Sequence, residues 1–141
     1  MNMIQPARAN KIFPNRTSPN DPPLILLSGD NARTAYNLYC ALVDEGFHVH
    51  FASAYNEIEP LWQEKRHPLI PLVVLLEVSG AQGVEAAVNA AISLKRKDPL
   101  QFVGYLADPV LRTSGLAGDA IFPRAPEHLA RELRRHFHDD D

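Results

Sequence analysis

The sequence predicts an α/β fold, a doubly wound (βα)5 domain in which helices cover both faces of a five-stranded parallel sheet. Short aliphatic runs alternate with amphipathic helical stretches five times, and this alternation is typical of repeated strand–helix units. The chain has 141 residues, of which 45% are hydrophobic and 22% charged, as in ordinary globular proteins. A chain of this length buries about two thirds of its unfolded surface, so one compact domain is expected.

The first strand–helix unit follows from local sequence signals. The aliphatic run LILLS at residues 24–28 predicts a buried strand. Asp30 or Asn31 then provides an N-cap, because a short polar side chain can accept hydrogen bonds from the free N–H groups of a first helical turn. Gly46 is expected to end this helix, since glycine readily adopts the left-handed backbone that often follows a helix.

The second unit has the alternation of an edge strand. HVHFA at residues 48–52 places His48 and His50 on one polar side, and we interpret both histidines as solvated strand residues rather than ligands. A helix is predicted from about Glu57 to Lys65. Pro60 is compatible with this helix only because it lies in the first turns, where its missing N–H has no partner to lose.

The remaining units continue the same alternation. LVVLLEVSG at residues 72–80 predicts a third strand that is buried on both faces, and a helix follows at 84–97. The runs FVGYLA at 102–107 and AIFP at 120–123 predict the fourth and fifth strands. The last helix begins at Pro126, with apolar residues every four positions on one side and arginines on the other.

The third strand runs directly into a carboxylate, Glu77. An unpaired carboxylate in a buried strand is costly, so Glu77 either lies where the strand emerges or has a partner. In open parallel sheets, ligands bind outside the carboxyl ends of the strands. We expect this edge to bring together Asp30, Glu77 and Arg124, with Asp108 after the fourth strand.

Composition disfavours several classes of function. The net charge of −3 is small and mixed in sign, which argues against direct nucleic-acid binding and against an acidic membrane surface. No apolar run approaches the roughly 20 residues of a membrane span. The single cysteine, Cys40, cannot form an internal disulfide, which fits a reducing compartment. We therefore expect a cytoplasmic protein that does not contact membranes.

The ends of the chain are expected to lie outside the folded domain. Residues 1–23 are rich in proline and asparagine, so we interpret them as a mobile N-terminal arm, and residues 139–141 form an acidic tail. The folded domain is accordingly assigned to residues 24–138. His136 and His138 are interpreted as part of a solvated end rather than as metal ligands.

Three segments together resemble the CheY-like receiver domain of two-component response regulators. LILLSGDN resembles the family's opening strand and acidic pair, PLVVLLEVSGAQGVE its third strand and phospho-acceptor loop, and AGDAIFPRAPEHL its fifth strand and lysine–proline turn. The resemblance spans residues 24–138 and implies a flavodoxin/CheY-like sheet of strand order 2-1-3-4-5. It leaves room for a helix of about two turns around residues 110–116.

The residues at the family's phosphorylation pocket differ from the family pattern. Receivers bind magnesium through two acids on strand one and an acceptor aspartate, and they read out phosphorylation with a hydroxyl group and a lysine. Gly29 replaces the first acid, so that only Asp30 remains of the pair. Glu77 replaces the acceptor, Leu106 the hydroxyl residue and Arg124 the lysine.

These departures imply a degenerate receiver, or pseudo-receiver, that does not accept a phosphoryl group. The extra methylene of Glu77 moves its carboxylate by about an ångström, which is enough to spoil in-line attack on a metal-held phosphoryl group. A fixed ion pair between Glu77 and Arg124 would resemble the phosphorylated aspartate and lysine of an active receiver. The alternative interpretation is that both side chains point into solvent at the strand ends.

The resemblance implies a phosphorylation-independent signalling or regulatory module that acts through protein–protein interaction. It implies no enzyme activity, no metal and no cofactor. In the family, the helix between strands four and five, the fifth strand and the last helix mediate dimerisation and effector contacts. In this sequence the corresponding interaction face comprises Val110, Leu111, Arg112, Phe122, Arg131, Arg134 and Arg135. The expected partners are a signalling or transcription protein and a second copy bound through this face.

Two alternatives come from other functional classes. SGDNART at the first strand–helix turn resembles a flavodoxin phosphate loop, in which Ser28 and Thr34 would hold a nucleotide or another small-molecule cofactor. Asp30 opposes this alternative, because it puts negative charge where the phosphate would bind. The second alternative is an enzyme that uses Asp30 and Glu77 as acid and base, although no nucleophilic side chain falls at a neighbouring strand end.

Overall fold

The structure, a computed structural model, describes residues 23–108 and 120–138. Five parallel strands form one sheet in the order β2-β1-β3-β4-β5, which confirms the predicted order. The strands are β1 (Leu24–Gly29), β2 (His48–Phe51), β3 (Leu72–Val78), β4 (Phe102–Ala107) and β5 (Ala120–Phe122).

Helices cover both faces of this sheet, as predicted. They are α1 (Ala32–Asp44), α2 (Ile58–Lys65), α3 (Gly83–Lys97) and α4 (Pro126–His138), and a single 3₁₀ turn at Tyr55–Glu57 precedes α2. One apolar cluster packs α1 and α4 against one face of the sheet, and a second packs α2 and α3 against the other. Among the described residues, no helix is both long enough and apolar enough to cross a membrane.

The first helix is capped by Asn31, one of the two predicted N-caps. Its side-chain oxygen accepts hydrogen bonds from the N–H groups of Arg33 at 3.0 Å and Thr34 at 3.3 Å. Gly46 follows the end of α1 with a φ angle of 95°, a left-handed conformation that side chains disfavour. The other candidate cap, Asp30, makes different contacts, which belong to the site at the strand ends.

The sheet is buried most deeply at β3. All seven residues of this central strand are buried, which confirms the prediction of a strand covered on both faces. β2 lies at the edge of the sheet, as its alternating sequence predicted, and none of its four residues is fully buried. Pro60 is the third residue of α2 and lies in its first turn. The short helix predicted around residues 110–116 lies outside the described part of the chain.

Candidate functional site

Four residues from four neighbouring strands form one row at the carboxyl end of the sheet. Gly29 is in register with Glu77, Glu77 with Leu106, and Leu106 with Phe122. Because side chains alternate along a strand, this row faces the layer formed by α1 and α4. The parallel topology thus brings these strand ends together at one site.

Glu77 is fully buried, and both of its carboxylate oxygens are hydrogen-bonded. Arg124 Nε donates to Oε2 at 2.6 Å, and Thr34 Oγ1 donates to Oε1 at 3.1 Å. A second nitrogen of Arg124, Nη1, lies 3.1 Å from Asp108 Oδ2. The expected ion pair between Glu77 and Arg124 is therefore present, and the alternative in which both side chains point into solvent is wrong.

Burial dominates the electrostatics of Glu77. Removal from water raises the pKa of its carboxyl group above the ordinary value of 4.5, although the charge of Arg124 and the hydrogen bonds from Thr34 and Arg124 oppose this rise. The nearby charge of Asp30 raises the pKa further. A carboxyl group with a raised pKa favours the folded state most at low pH, and this contribution falls as the pH rises through the folded pKa. Arg124 is therefore the group that limits the cost of an ionised Glu77 at neutral pH.

Gly29 leaves the space that the Glu77 carboxylate occupies. A Cβ atom at this position would lie 2.7 Å from Glu77 Oε1 and 3.0 Å from the Cβ of Ala35. Non-bonded atoms in well-packed proteins do not approach so closely, so any side chain at residue 29 would force a local shift of the structure. An acid at this position would add charge repulsion to the steric conflict. The absence of a side chain at residue 29 and the position of the Glu77 carboxylate are thus sterically coupled.

Asp30 connects two loops at the same edge of the sheet. Its Oδ1 accepts hydrogen bonds from Ser79 N at 3.0 Å and from Ser79 Oγ at 2.7 Å. Gly83, at the start of α3, permits this arrangement, since an added Cβ would overlap the Asp30 carboxylate. The backbone N–H of Asp30 also donates to the carbonyl oxygen of Glu77 at 3.3 Å. Asp30 therefore ties the β1–α1 loop to the β3–α3 loop.

Three residues at this edge were not among the predicted pocket residues. Tyr55 donates its hydroxyl hydrogen to the carbonyl oxygen of Glu77 at 2.7 Å, while Thr34 and Ser79 bind the two carboxylates. Burial raises the pKa of Tyr55, and the charges of Asp30 and Glu77 add to the rise, so the phenol stays a neutral donor. The sequence indicated Thr34 only as part of a possible phosphate loop, and its position three residues after the N-cap is a second signal that it could face the strand ends.

Ser28 and Thr34 do not form the phosphate cradle that the flavodoxin alternative requires. Ser28 is fully buried on the same side of β1 as Leu26, which packs against α2 and α3. Its hydroxyl has no hydrogen-bond partner among the described residues. Thr34 binds Glu77 on the opposite face of the sheet, so the two hydroxyl groups cannot hold one phosphate.

Phe122 does not lie on the surface to which the sequence assigned it. Its side chain is 3% exposed and packs near Phe137 in the core between the sheet and α4. Gly104 on β4 makes room for this ring, because a Cβ there would lie 2.9 Å from it. The assignment of Phe122 to an interaction face is therefore wrong. Leu106 is likewise fully buried and forms an apolar wall beside Glu77.

The arginines of α4 are exposed, but two of them are bound within the chain. Arg134 Nη2 donates to the carbonyl oxygen of Glu45 at 2.8 Å and to Glu45 Oε1 at 2.9 Å, which links α4 to the end of α1. Arg135 pairs with Glu132 at 2.7 Å. Arg131 has no ion-pair partner among the described residues. The predicted interaction face also included three residues that lie outside the described part of the chain: Val110, Leu111 and Arg112.

Comparison with known proteins establishes the fold. No protein-family model matches the sequence, and no curated protein matches it. Among solved structures, the chain is similar to the chemotaxis protein CheY4 of Vibrio cholerae, with a TM-score of 0.57 and 18% sequence identity. The similarity covers 82% of this chain and 98% of CheY4. The protein therefore has a CheY-like (βα)5 fold.

Receivers bind magnesium in this pocket, but the donor set here does not fit that ion. Mg²⁺ needs several oxygen ligands in near-octahedral geometry. Gly29 contributes no side-chain oxygen, both oxygens of Glu77 are held by Arg124 and Thr34, and the Asp30 carboxylate is hydrogen-bonded to Ser79. Within the described ranges, no three His, Cys, Asp or Glu side chains are grouped so that they could hold a metal ion.

Proposed function

We propose that this protein is a receiver-like signalling module that acts through protein–protein interaction and does not depend on phosphorylation. The observation that carries this proposal is the buried contact between Glu77 and Arg124 at 2.6 Å. A phospho-acceptor needs a carboxylate oxygen that can attack in line. Both oxygens of Glu77 are committed to internal donors, which supports a pocket closed to phosphoryl transfer.

The same contacts support a fixed signalling state. An active receiver holds its phosphoryl group between a lysine and a hydroxyl group, as the family resemblance implies. Glu77 contacts one cation, Arg124, and one hydroxyl group, that of Thr34, without any modification. The carboxylate thus takes the place of a bound phosphoryl group. A module of this kind transmits no phosphorylation signal of its own. Its signalling output depends on its concentration or on its partner.

The proposal includes no enzyme activity. Catalysis by Asp30 and Glu77 as acid and base would need both groups to reach a substrate. Glu77 has no exposed surface, and the Oδ1 of Asp30 is bound to Ser79.

We place the protein in the cytoplasm, with a signalling or transcription protein as its partner and without direct contact to nucleic acid. Among the described residues of the predicted interaction face, Arg131 on α4 is exposed and has no ion-pair partner, so it is available for a protein partner or a second copy.

Intact-mass measurement after incubation with Mg²⁺ and a small phosphoryl donor tests this function. We expect the wild-type chain to keep its mass, because the acceptor is closed and the metal site lacks its first acid. The matched variant is Gly29→Asp combined with Glu77→Asp, which restores the acids of the family pattern and reduces the steric conflict between the two side chains. We expect this variant to gain a phosphoryl adduct. An adduct on the wild-type chain would contradict the proposal.

A further inference from the structure

Two turns at the amino-terminal edge of the sheet repeat one arrangement. Each contains the dipeptide Pro-Leu, in His67–Ile70 and Asp98–Gln101, and they precede β3 and β4. In each turn the carbonyl oxygen of the first residue accepts a hydrogen bond from the N–H of the fourth. The distances are 3.2 Å from Ile70 N to His67 O and 3.0 Å from Gln101 N to Asp98 O. The side chain of the first residue also accepts the N–H of the leucine, at 3.0 Å from His67 Nδ1 and 3.1 Å from Asp98 Oδ1. Both leucines are thus carried on turns that are fixed by two hydrogen bonds.

These fixed turns present large apolar side chains to solvent. Leu69 is 56% exposed, Ile70 48% and Leu100 82%. Single exposed leucines are common on protein surfaces, but here two repeated turns stand on adjacent strands, which run about 5 Å apart. Gln101 Nε2 donates to the carbonyl oxygen of Leu72 at 2.8 Å and joins the starts of the two strands. These exposed apolar residues, called the patch below, therefore lie on two neighbouring turns at one edge of the sheet, each with a preorganised backbone.

The patch is bordered by the basic ends of two helices. α2 ends at Lys65 and is followed by Arg66, while α3 ends with three basic residues at positions 95–97. Basic residues favour helix carboxyl ends because they complement the helix dipole, so their presence alone indicates no partner. Arg66 and Arg96, however, have no carboxylate partner among the described residues. Arg66 instead lies 4.4 Å from the centre of the Trp62 ring.

We propose that Leu69, Ile70 and Leu100, bordered by Arg66 and Arg96, form a docking edge for an acidic segment of a protein partner that carries apolar anchor residues. An apolar centre with a charged rim is the usual anatomy of a protein interface. The two arginines supply charge that an acidic segment complements.

A protein segment fits this edge better than an anionic membrane does. Glu64 and Asp98 lie two residues from Arg66 and Arg96 in the sequence, and both carboxylates would repel a uniformly anionic bilayer. A protein segment carries discrete charges, so it can place its acidic residues opposite the two arginines and away from these carboxylates. The docking edge lies at the end of the sheet opposite the Glu77 pocket. The inference therefore goes beyond the proposed function and does not depend on whether that pocket accepts a phosphoryl group.

Selection from a phage-displayed library of random 16-residue peptides tests this proposal. The immobilised wild-type chain serves as bait, and the double variant Leu69→Ser/Leu100→Ser removes non-specific binders. We expect the enriched peptides to share several acidic residues around two or more large apolar residues. Absence of enrichment, or enrichment without an acidic bias, would overturn the proposal.

Binding of the enriched peptides, measured by fluorescence anisotropy, provides the quantitative readout. We expect the leucine double variant and the charge variant Arg66→Glu/Arg96→Glu each to bind at least about tenfold more weakly than the wild type. Val43→Ser, on α1 at the other face of the sheet, removes an exposed apolar residue of the same class and should bind like the wild type. Equal binding by the leucine variant and the wild type would overturn the proposal.

Cosedimentation with vesicles distinguishes a protein partner from a lipid surface as the occupant of the docking edge. The chain is sedimented with vesicles of phosphatidylglycerol and phosphatidylcholine at physiological salt, beside the leucine double variant. We expect neither protein to sediment with the vesicles. Sedimentation of the wild type that the leucine substitutions abolish would overturn the assignment of a protein segment and assign the edge to a membrane.

Discussion

Replacement of Arg124 by methionine is expected to lower the free energy of unfolding by about 2 to 3 kcal/mol at pH 7. The substitution keeps an apolar side chain of similar reach but removes the cation 2.6 Å from the buried Glu77 carboxylate. Glu77 then stays buried with only the hydroxyl group of Thr34 as a side-chain partner. An ionised carboxylate without a compensating charge is among the most costly groups in a protein interior.

Protonation of Glu77 sets an upper limit on this loss. The carboxyl group can take up a proton at pH 7, and from its ordinary pKa of 4.5 this costs about 3.4 kcal/mol, at about 1.36 kcal/mol per pH unit. The wild type already has a raised pKa at Glu77, so the measurable difference is smaller than this limit. Below pH 4.5 the carboxyl group is protonated in both chains, and the difference should shrink.

Chemical denaturation at several pH values measures the effect of the Arg124 substitution. Arg131→Met, an exposed arginine on α4, is the matched control and should change stability by less than about 0.5 kcal/mol. Glu77→Gln combined with Arg124→Met removes both charges and should recover most of the lost stability. An Arg124→Met protein as stable as the Arg131→Met protein would show that Glu77 does not rely on the ion pair.

Replacement of Gly29 by alanine is expected to lower the free energy of unfolding by about 2 kcal/mol. The added methyl group would lie 2.7 Å from Glu77 Oε1, 3.0 Å from the Cβ of Ala35 and 3.1 Å from the carbonyl oxygen of Glu77. A flexible side chain could move away, but Arg124 and Thr34 hold the Glu77 carboxylate in place. The alanine therefore has to displace the carboxylate or shift α1.

Thermal unfolding of Gly29→Ala beside Gly80→Ala checks this prediction. Gly80 has no atom within 4 Å of an added Cβ and should tolerate alanine. In a chain that also carries Glu77→Asp, the shorter carboxylate should reduce the loss caused by Gly29→Ala, because the two positions contact each other. Equal stability of the two alanine variants would contradict the steric coupling between Gly29 and Glu77.

The elements of the fold could be predicted because each depends on a contiguous stretch of sequence. The predicted fourth strand, at residues 102–107, has the same bounds as β4, and the third is shorter by two residues because the chain turns after Val78. The meeting of Glu77 and Arg124 also followed from the sequence, since the carboxyl ends of parallel strands share one edge. The topology alone did not decide whether the two side chains would pair or point into solvent.

The errors concern side chains whose environment depends on distant residues. Phe122 lies in a strand of three residues, too short for its alternation to reveal which side is buried. The contact of Arg134 with Glu45, 89 positions away in the sequence, was not predicted, whereas the assignment of Arg134 to an interaction face stays a prediction. The contact of Thr34 with Glu77 depends on how α1 is rotated against the sheet, and local sequence does not determine that rotation.

The ionisation of Glu77 distinguishes a pocket closed by the Glu77–Arg124 ion pair from an open one. In protein labelled with ¹³C at glutamate carboxyl carbons, the Glu77 signal, assigned with Glu77→Gln, is followed by NMR as a function of pH with and without Mg²⁺. We predict a titration midpoint above 4.5 that rises further in Arg124→Met and does not respond to Mg²⁺. A midpoint that Arg124→Met leaves unchanged, or a signal that shifts when Mg²⁺ is added, would contradict a pocket closed by the Glu77–Arg124 ion pair.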